Sequence, residues 1–554
     1  MYRFHHPRPK CGPRRRTLAA ATAALLVSAC GGGDGDKAPA PAADPLVVTT
    51  ASGPIRGQAS AAGGTMLEFK GIPYAAPPVG PLRWRPPAPP ASWTEVRDAT
   101  AFGPACAQPA SPFGTATTTV NEDCLTLNVF RPSTPGPHPV MVWIHGGAFY
   151  LGASAGYDPA SLVAQGVVVV TINYRLGALG FMAHPALSAE QGGHSGNYGL
   201  MDQQAALRWV QANIDKFGGD KNNVTIFGES AGGFSVLSHL AAPESAGLFH
   251  KVIVMSGAYG MGATSQDTLA AAQTKGQTIA TAAVNEVTGA GGAPCDTNTV
   301  ACLRSLPASA LLTAQMAAYP NGPVPSVDGR VLDASVRAKV HAGTVPPVPV
   351  IQGSTRDEYR LFGALREMRG EAPLDASTLP AAIRALGIPD PTASALASGP
   401  YNPALFGNNA SFAYGALGTD LVFACNGLNL AKRLSGHGRA VYSYEFRDRT
   451  APEVLPAVSF PQGAAHSAEL QYLFDMPRPL NPEQQALKSA MVRYFTHFAR
   501  TGQPAGDGLP AWAAFTAAAP TYLGLDIAAS GGIAPFGTFA TEHQCDTVWA
   551  SLAN

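Results

Sequence analysis

Short apolar runs recur along the chain at intervals that suit a layered fold. Residues 139–145 (PVMVWIH) and 166–172 (GVVVVTI) are continuous in apolar residues and lack the alternation of a half-exposed strand. That pattern predicts strands buried on both faces. Val224-Thr225-Ile226-Phe227, residues 251–255 (KVIVM) and residues 348–353 (VPVIQG) continue the series. Between them, Leu200, Ala206, Leu207, Val210, Ile214 and Phe217 recur at helical spacing. Strand, helix and strand in this order predict an α/β fold: a large, mostly parallel or mixed sheet covered on both faces by helices. Residues 360–420 read ambiguously as helix and loop. No period of 20–50 residues marks a repeat solenoid, and no linker interrupts 47–554.

The chain start has a different pattern. Residues 1–29 hold six basic groups and no acidic one, and residues 18–29 (LAAATAALLVSA) are small or apolar. Twelve such residues are too few to span about 30 Å of hydrocarbon, so the stretch reads as a signal peptide. It ends at Val27-Ser28-Ala29-Cys30, which resembles a bacterial lipobox, with cleavage before Cys30 and lipidation of its thiol. Residues 30–46 are a Gly/Asp/Ala/Pro tether. The folded part should begin near Val47. These features predict an exported protein of the cell envelope, lipid-anchored in the periplasm or at the outer membrane, or else secreted.

Composition sharpens this. Of 554 residues, 46% are hydrophobic and 13% charged, with net charge zero. Once the basic start is set aside, the body is mildly acidic and has no basic patch, which argues against a nucleic-acid partner. After Cys11 and Cys30, six cysteines remain: Cys106, Cys124, Cys295, Cys302, Cys425 and Cys545. No CxxC or HExxH supports a metal site. An even number in an exported chain reads as disulfides, with fifteen possible connectivities.

The chemistry sits at a turn. GESAG (228–232) matches the GxSxG elbow, in which a sharp strand-to-helix turn lifts a serine hydroxyl clear of the sheet. GASAG (152–156) matches too, but Ser154 precedes Tyr157-Asp158-Pro159, which cannot open a helix cleanly. Ser230 has a strand before it and a helix after it. A serine nucleophile needs a base, and the base needs an orienting carboxylate, in the chain order Ser, acid, His. Asp357 and Glu358 follow a later strand. His437, His466, His497 and His543 lie downstream; His497 sits in a helical stretch and His466 in a loop, QGAAHSAEL. HGGAF (145–149) follows an early strand and could supply the N–H donors that an oxyanion needs.

At this point the chain resembles a type-B carboxylesterase, of the cholinesterase-like branch of the α/β-hydrolases and the bacterial para-nitrobenzyl esterase type. The resemblance runs through FKGIPYAAPPVGPLRWRPP (69–87), EDCLTLNVFRP (122–132), WIHGGAFYLG (143–152), NYRLGALGF (173–181), GNYGLMDQ (196–203), FGGDKNNVTIFGESAGG (217–233), GSTRDEYRLF (353–362) and HSAEL (466–470). It implies a single α/β-hydrolase domain over 47–554. It also implies Ser230 as nucleophile, Glu358 rather than Asp357 as triad acid, His466 as base, and the N–H groups of Gly147, Ala148 and Ala231 as the oxyanion hole. It implies the pairs Cys106–Cys124, Cys295–Cys302 and Cys425–Cys545, and the structural ion pairs Arg83–Glu122 and Arg175–Asp202. Tyr359 stands where relatives often have Gly. The implied reaction is hydrolysis of small-molecule carboxylic esters with no metal or organic cofactor. The rival readings are a lipase or polyester hydrolase of the same fold, and a non-catalytic esterase-like binding protein. In true cholinesterases a Trp between the first two disulfide cysteines holds the choline cation. Here that loop, 107–123, has Phe113 as its sole aromatic.

Overall fold

The fold was obtained as a computed structural model, which describes residues 44–553 except 62–64, 112–114, 261–263 and 507. The signal-peptide and Cys30 readings, most of the tether and Phe113 lie outside the described residues. In chain order the strands are β1 (Val47–Thr49), β2 (Pro54–Arg56), β3 (Gln58–Ala59), β4 (Met66–Pro73), β5 (Arg97–Asp98), β6 (Thr126–Pro132), β7 (His138–Ile144), β8 (Val168–Ile172), β9 (Gly219–Glu229), β10 (Lys251–Met255), β11 (Val350–Thr355), β12 (Val441–Phe446), β13 (Tyr522–Leu525) and β14 (Ala534–Phe536). Eleven of them form one sheet in the order β14-β13-β12-β11-β10-β9-β7-β8-β6-β4-β3. The strands from β8 through β13 run parallel, and antiparallel strands close both edges. β1, β2 and β5 form a separate small sheet.

Each apolar run lies within or next to a parallel strand, because burial on both faces removes the need for polar alternation. Along β7, Val140, Val142 and Ile144 face one core while Met141 and Trp143 face the other. The helix Tyr198–Asn213, carried on by a 3₁₀ turn to Phe217, covers the first face together with the helix Ala231–Ala241. The helix Pro482–Thr501 packs Met491, Phe495 and Phe498 on the second. The ambiguous stretch contains the short helices Arg360–Met368, Leu379–Ala385, Thr392–Ser398 and Ala410–Gly418.

All three expected cysteine pairs are present, with Cα–Cα distances of 5.0, 5.5 and 5.3 Å. Arg83 Nε donates to Glu122 at 2.7 Å. Arg175 grips Asp202 through Nε at 2.8 Å and Nη2 at 2.7 Å, with both side chains buried. Asp202 is therefore a buried anchor. Among the described residues, no helix is long and apolar enough to cross a membrane.

Candidate active site

Because β7, β9, β10, β11 and β12 are parallel, the segments that follow them leave from one edge of the sheet. β9 ends at Glu229, and the helix Ala231–Ala241 starts two residues later. Between them Ser230 has φ 56° and ψ −123°, a backbone conformation that costs about 1–3 kcal/mol for an L-residue. Its surroundings enforce it. A Cβ on Gly228 would lie 2.5 Å from the backbone of Gly232, and one on Gly232 would lie 2.0 Å from the Ile144 carbonyl oxygen. Ser230 N–H donates to the Met255 carbonyl at 2.9 Å. The outcome is a half-buried serine between two buried neighbours.

The segment after β7 approaches this turn closely: a Cβ on Gly146 would sit 3.2 Å from Ser230 Cβ. Gly147, Ala148 and Phe149 have φ of 101°, 50° and 60°. Successive positive φ values at non-glycine residues are costly and persist only where the fold over-determines them. The Gly147 and Phe149 carbonyls accept from Leu151 N–H at 2.9 Å and Gly177 N–H at 2.7 Å, which fixes the loop. Ala231 is the first residue of its helix, so its N–H has no intrahelical acceptor.

Glu358 follows β11. Its Oε1 accepts from Ser256 Oγ at 2.6 Å and Thr355 N–H at 2.8 Å, while Oε2 faces His466 Nδ1 at 2.6 Å. That contact orients the imidazole and places a proton on Nδ1. The neighbouring Asp357 points elsewhere, paired with Arg449 through two contacts of 2.8 and 2.9 Å and with Arg360 at 3.0 Å. The other histidines are apart from this group. His437 contacts the His341 carbonyl, and His497, half-buried in its helix, contacts the Gln503 carbonyl. Ser154 is buried and accepts from Asn128.

His466 Nε2 makes no hydrogen bond in this structure and lies 3.1 Å from Glu229 Oε1. Burial pulls the pKa of His466 down, but the charges of Glu229 and Glu358 outweigh it and raise the imidazole to about 9. Burial raises the Glu229 carboxyl, against the pull of His466 and of the Ser467 hydroxyl donating at 2.8 Å. Burial and then the charges of Glu229 and Glu358 push fully buried Glu469 well above the usual carboxylate range. Glu229, Ser256 and Glu469 were not assigned from sequence. An acid closing the apolar strand VTIFGE was a usable signal for Glu229; Ser256 gave none. The rings of Phe423 and Phe362 pack on His466 with centroids 5.0 and 5.4 Å away.

Sheet order and the strand–serine–helix turn define an α/β-hydrolase. The chain belongs to the carboxylesterase family, whose sequence pattern matches residues 44–547, and is a carboxylic ester hydrolase of the para-nitrobenzyl esterase type. It is 41% identical over 348 residues to a para-nitrobenzyl esterase of Bacillus subtilis (strain 168), covering 60% of this chain and 67% of that protein. It is 34% identical over 546 residues to the Homo sapiens cocaine esterase, covering 91% and 90%. A pyrethroid hydrolase of Rattus norvegicus is 34% identical over 484 residues, covering 83% and 82%. A solved PNB esterase superimposes with a TM-score of 0.73 at 33% identity, covering 90% of this chain and 99% of that chain.

Proposed function

We propose that this protein is an exported serine carboxylesterase working through Ser230, His466 and Glu358 and a covalent acyl-enzyme. The observation that carries this reading is the 2.6 Å contact of Glu358 with His466 Nδ1, which leaves Nε2 without a hydrogen bond. In the cycle, the neutral form of His466, whose share grows as the pH approaches about 9, takes the Ser230 proton at Nε2 as Oγ attacks the ester carbonyl. Glu358 and Glu229 favour the imidazolium that forms. The N–H groups of Gly147, Ala148 and Ala231 receive the oxyanion. The imidazolium gives its proton to the leaving alkoxide. Water, deprotonated by His466, then attacks the acyl-enzyme and releases the acid. Ser230 and His466 are not hydrogen-bonded in the free enzyme, and such contacts often tighten only with substrate bound. Peptide mapping after treatment with a fluorophosphonate should find one adduct, on Ser230; an adduct on Ser154, or none, would overturn the assignment.

The substrates are small neutral esters. Relatives named for para-nitrobenzyl and pyrethroid esters act on neutral substrates, whereas cocaine, the ester named for a third, carries a basic amine. Phe149, against Phe181 at 5.0 Å, and Tyr150 offer an apolar wall beside the elbow. No Trp lies in the loop 107–123 to hold a cation, and a desolvated cation–π contact contributes about 2 kcal/mol. Its absence corresponds to roughly thirtyfold in discrimination. The kcat/KM for para-nitrophenyl butyrate should therefore exceed that for butyrylthiocholine; the reverse order sinks this substrate class.

Export and anchoring complete the proposal. Lipidation of Cys30 would hold the enzyme on a membrane, since each buried methylene adds about 0.8 kcal/mol. Cys30→Ser should move activity into the soluble fraction without loss. Unchanged membrane association would defeat the anchor.

A further inference from the structure

Another buried histidine lies away from the elbow, beside the Cys425–Cys545 disulfide. His543 is 4% exposed, with Nδ1 2.6 Å from Asp420 Oδ1 and Nε2 2.6 Å from Glu445 Oε1. With both carboxylates ionised, and so acceptors only, both ring nitrogens carry protons, although burial raises the Asp420 carboxyl against the pull of His543. Burial opposes the imidazolium charge, but the hydrogen bonds to Asp420 and Glu445 raise the His543 pKa to about 9. The other charged and titratable groups around it reach it through these two acids or share its helix. Tyr401 donates its hydroxyl to Asp420 Oδ2 at 2.7 Å. Arg356 and Arg447 each contact Glu445 at 3.1 Å and also pair with Glu542, on the helix Phe539–Glu542.

Each acid leads towards His466. Asp420 lies in the π-helical turn Thr419–Ala424. Carbonyls loosened by that geometry need donors, and Asn426 Nδ2 supplies them to Leu421 at 2.9 Å and Val422 at 3.2 Å. In the same turn the Thr419 hydroxyl accepts from the N–H of Tyr359, the residue after Glu358, at 3.0 Å. Also in this turn, Phe423 packs on the His466 ring. Glu445 holds Arg356, two residues before Glu358. π-helical turns concentrate at functional sites, where they re-aim side chains.

We infer that His543 is a positioning residue for ester hydrolysis: by bridging Asp420 and Glu445 it fixes the two segments that hold Glu358 and His466 in register. This rests on Glu358 and His466 acting as proposed above. His543→Gln leaves the buried Asp420 carboxylate without its cationic partner and lets the π-helical turn shift. Displacements of about 1 Å at a reacting group can cost up to about a hundredfold.

The test measures kcat and KM for para-nitrophenyl butyrate per titrated active site in wild type, His543→Gln and Asp420→Asn/His543→Gln. His543→Gln is expected to lower kcat by about tenfold or more with KM nearly unchanged. The double variant, in which a neutral amide pair replaces the ions, is expected to recover at least about threefold of the loss. Between pH 6.5 and about 9 the wild type should lose more thermal stability than His543→Gln, because a raised histidine pKa stabilises the fold below the unfolded value and the gain is lost through the folded one. A kcat per site equal to wild type in folded His543→Gln, even with a lowered Tm, overturns the positioning role. If His543→Gln does not fold, Tyr401→Phe weakens the same carboxylate, and an unchanged kcat per site there overturns it equally. Ser230→Ala and His466→Gln run alongside: wild-type activity in either overturns the reading of the triad itself, whereas two inactive controls beside an unaffected His543→Gln overturn the positioning role alone.

Discussion

Ser230→Ala is expected to lower kcat by about 10⁶-fold, while Ser154→Ala keeps most of the activity. Both serines stand in a GxSxG pattern, but only Ser230 sits at a strand-to-helix turn. Ser230 is half-buried at the end of β9, against the loop of Gly146 and Gly147. Ser154 is 3% exposed, with its hydroxyl taken by Asn128 at 3.0 Å and its N–H given to the Asn173 side chain at 2.8 Å. Members of a triad act as a unit, so loss of the nucleophile alone removes about 10⁶ in kcat; about 10³–10⁴ over water survives through the oxyanion hole and binding. Steady-state kinetics on folded protein, with circular dichroism as the control, decides the matter. An inactive, well-folded Ser154→Ala beside an active Ser230→Ala would reverse the assignment.

Replacing both Cys425 and Cys545 by serine should destabilise the fold by about 4–5 kcal/mol, because the pair closes a loop of some hundred residues in the unfolded chain. The bridge spans a sequence separation of 120, and the loop contains His466 and His543. Cys295 and Cys302 are seven residues apart, and the entropy gained by closing so short a loop is smaller. Denaturant unfolding of the two double variants, compared at equal m, should therefore rank the long loop well above the short one. Equal losses would show that unfolded-chain entropy is not what the long bridge restricts. Free thiols at these sites in non-reducing peptide maps would argue against both the pairing and the oxidising compartment.

The parts of the fold legible in the sequence were those whose environment is uniform. β7, β8, β9, β10 and β11 read as apolar runs because both faces are buried. β4 and β6 did not, because they carry Glu68, Lys70 and Asn128. Asn128 is 1% exposed and is satisfied by Thr171 and Ser154, partners 43 and 26 residues away, so its tolerance in a core strand depends on the finished fold. The site divides in the same way. The elbow at Ser230 is a local feature, read from its five residues together with the strand before them and the helix after, since GASAG at 152–156 fits the same five-residue pattern. The choice between Asp357 and Glu358 could not be made from spacing, since it depends on Arg449, 92 residues further on, pairing with Asp357. Among the four downstream histidines, the resemblance to a family singled out His466. His543 went unread because its acids lie 123 and 98 residues upstream.

The parallel run of strands also separates two kinds of change that protein engineering usually finds in conflict. The groups around Ser230 all follow the carboxyl ends of strands, and even β10, with five residues, is about 17 Å long at the usual rise. Substitutions at the opposite rim thus lie beyond the roughly 7–10 Å over which mutational effects couple. Loops at the carboxyl rim can be diversified for new esters while stabilising changes accumulate at the amino rim, and the two libraries can be optimised separately and combined with nearly additive gains.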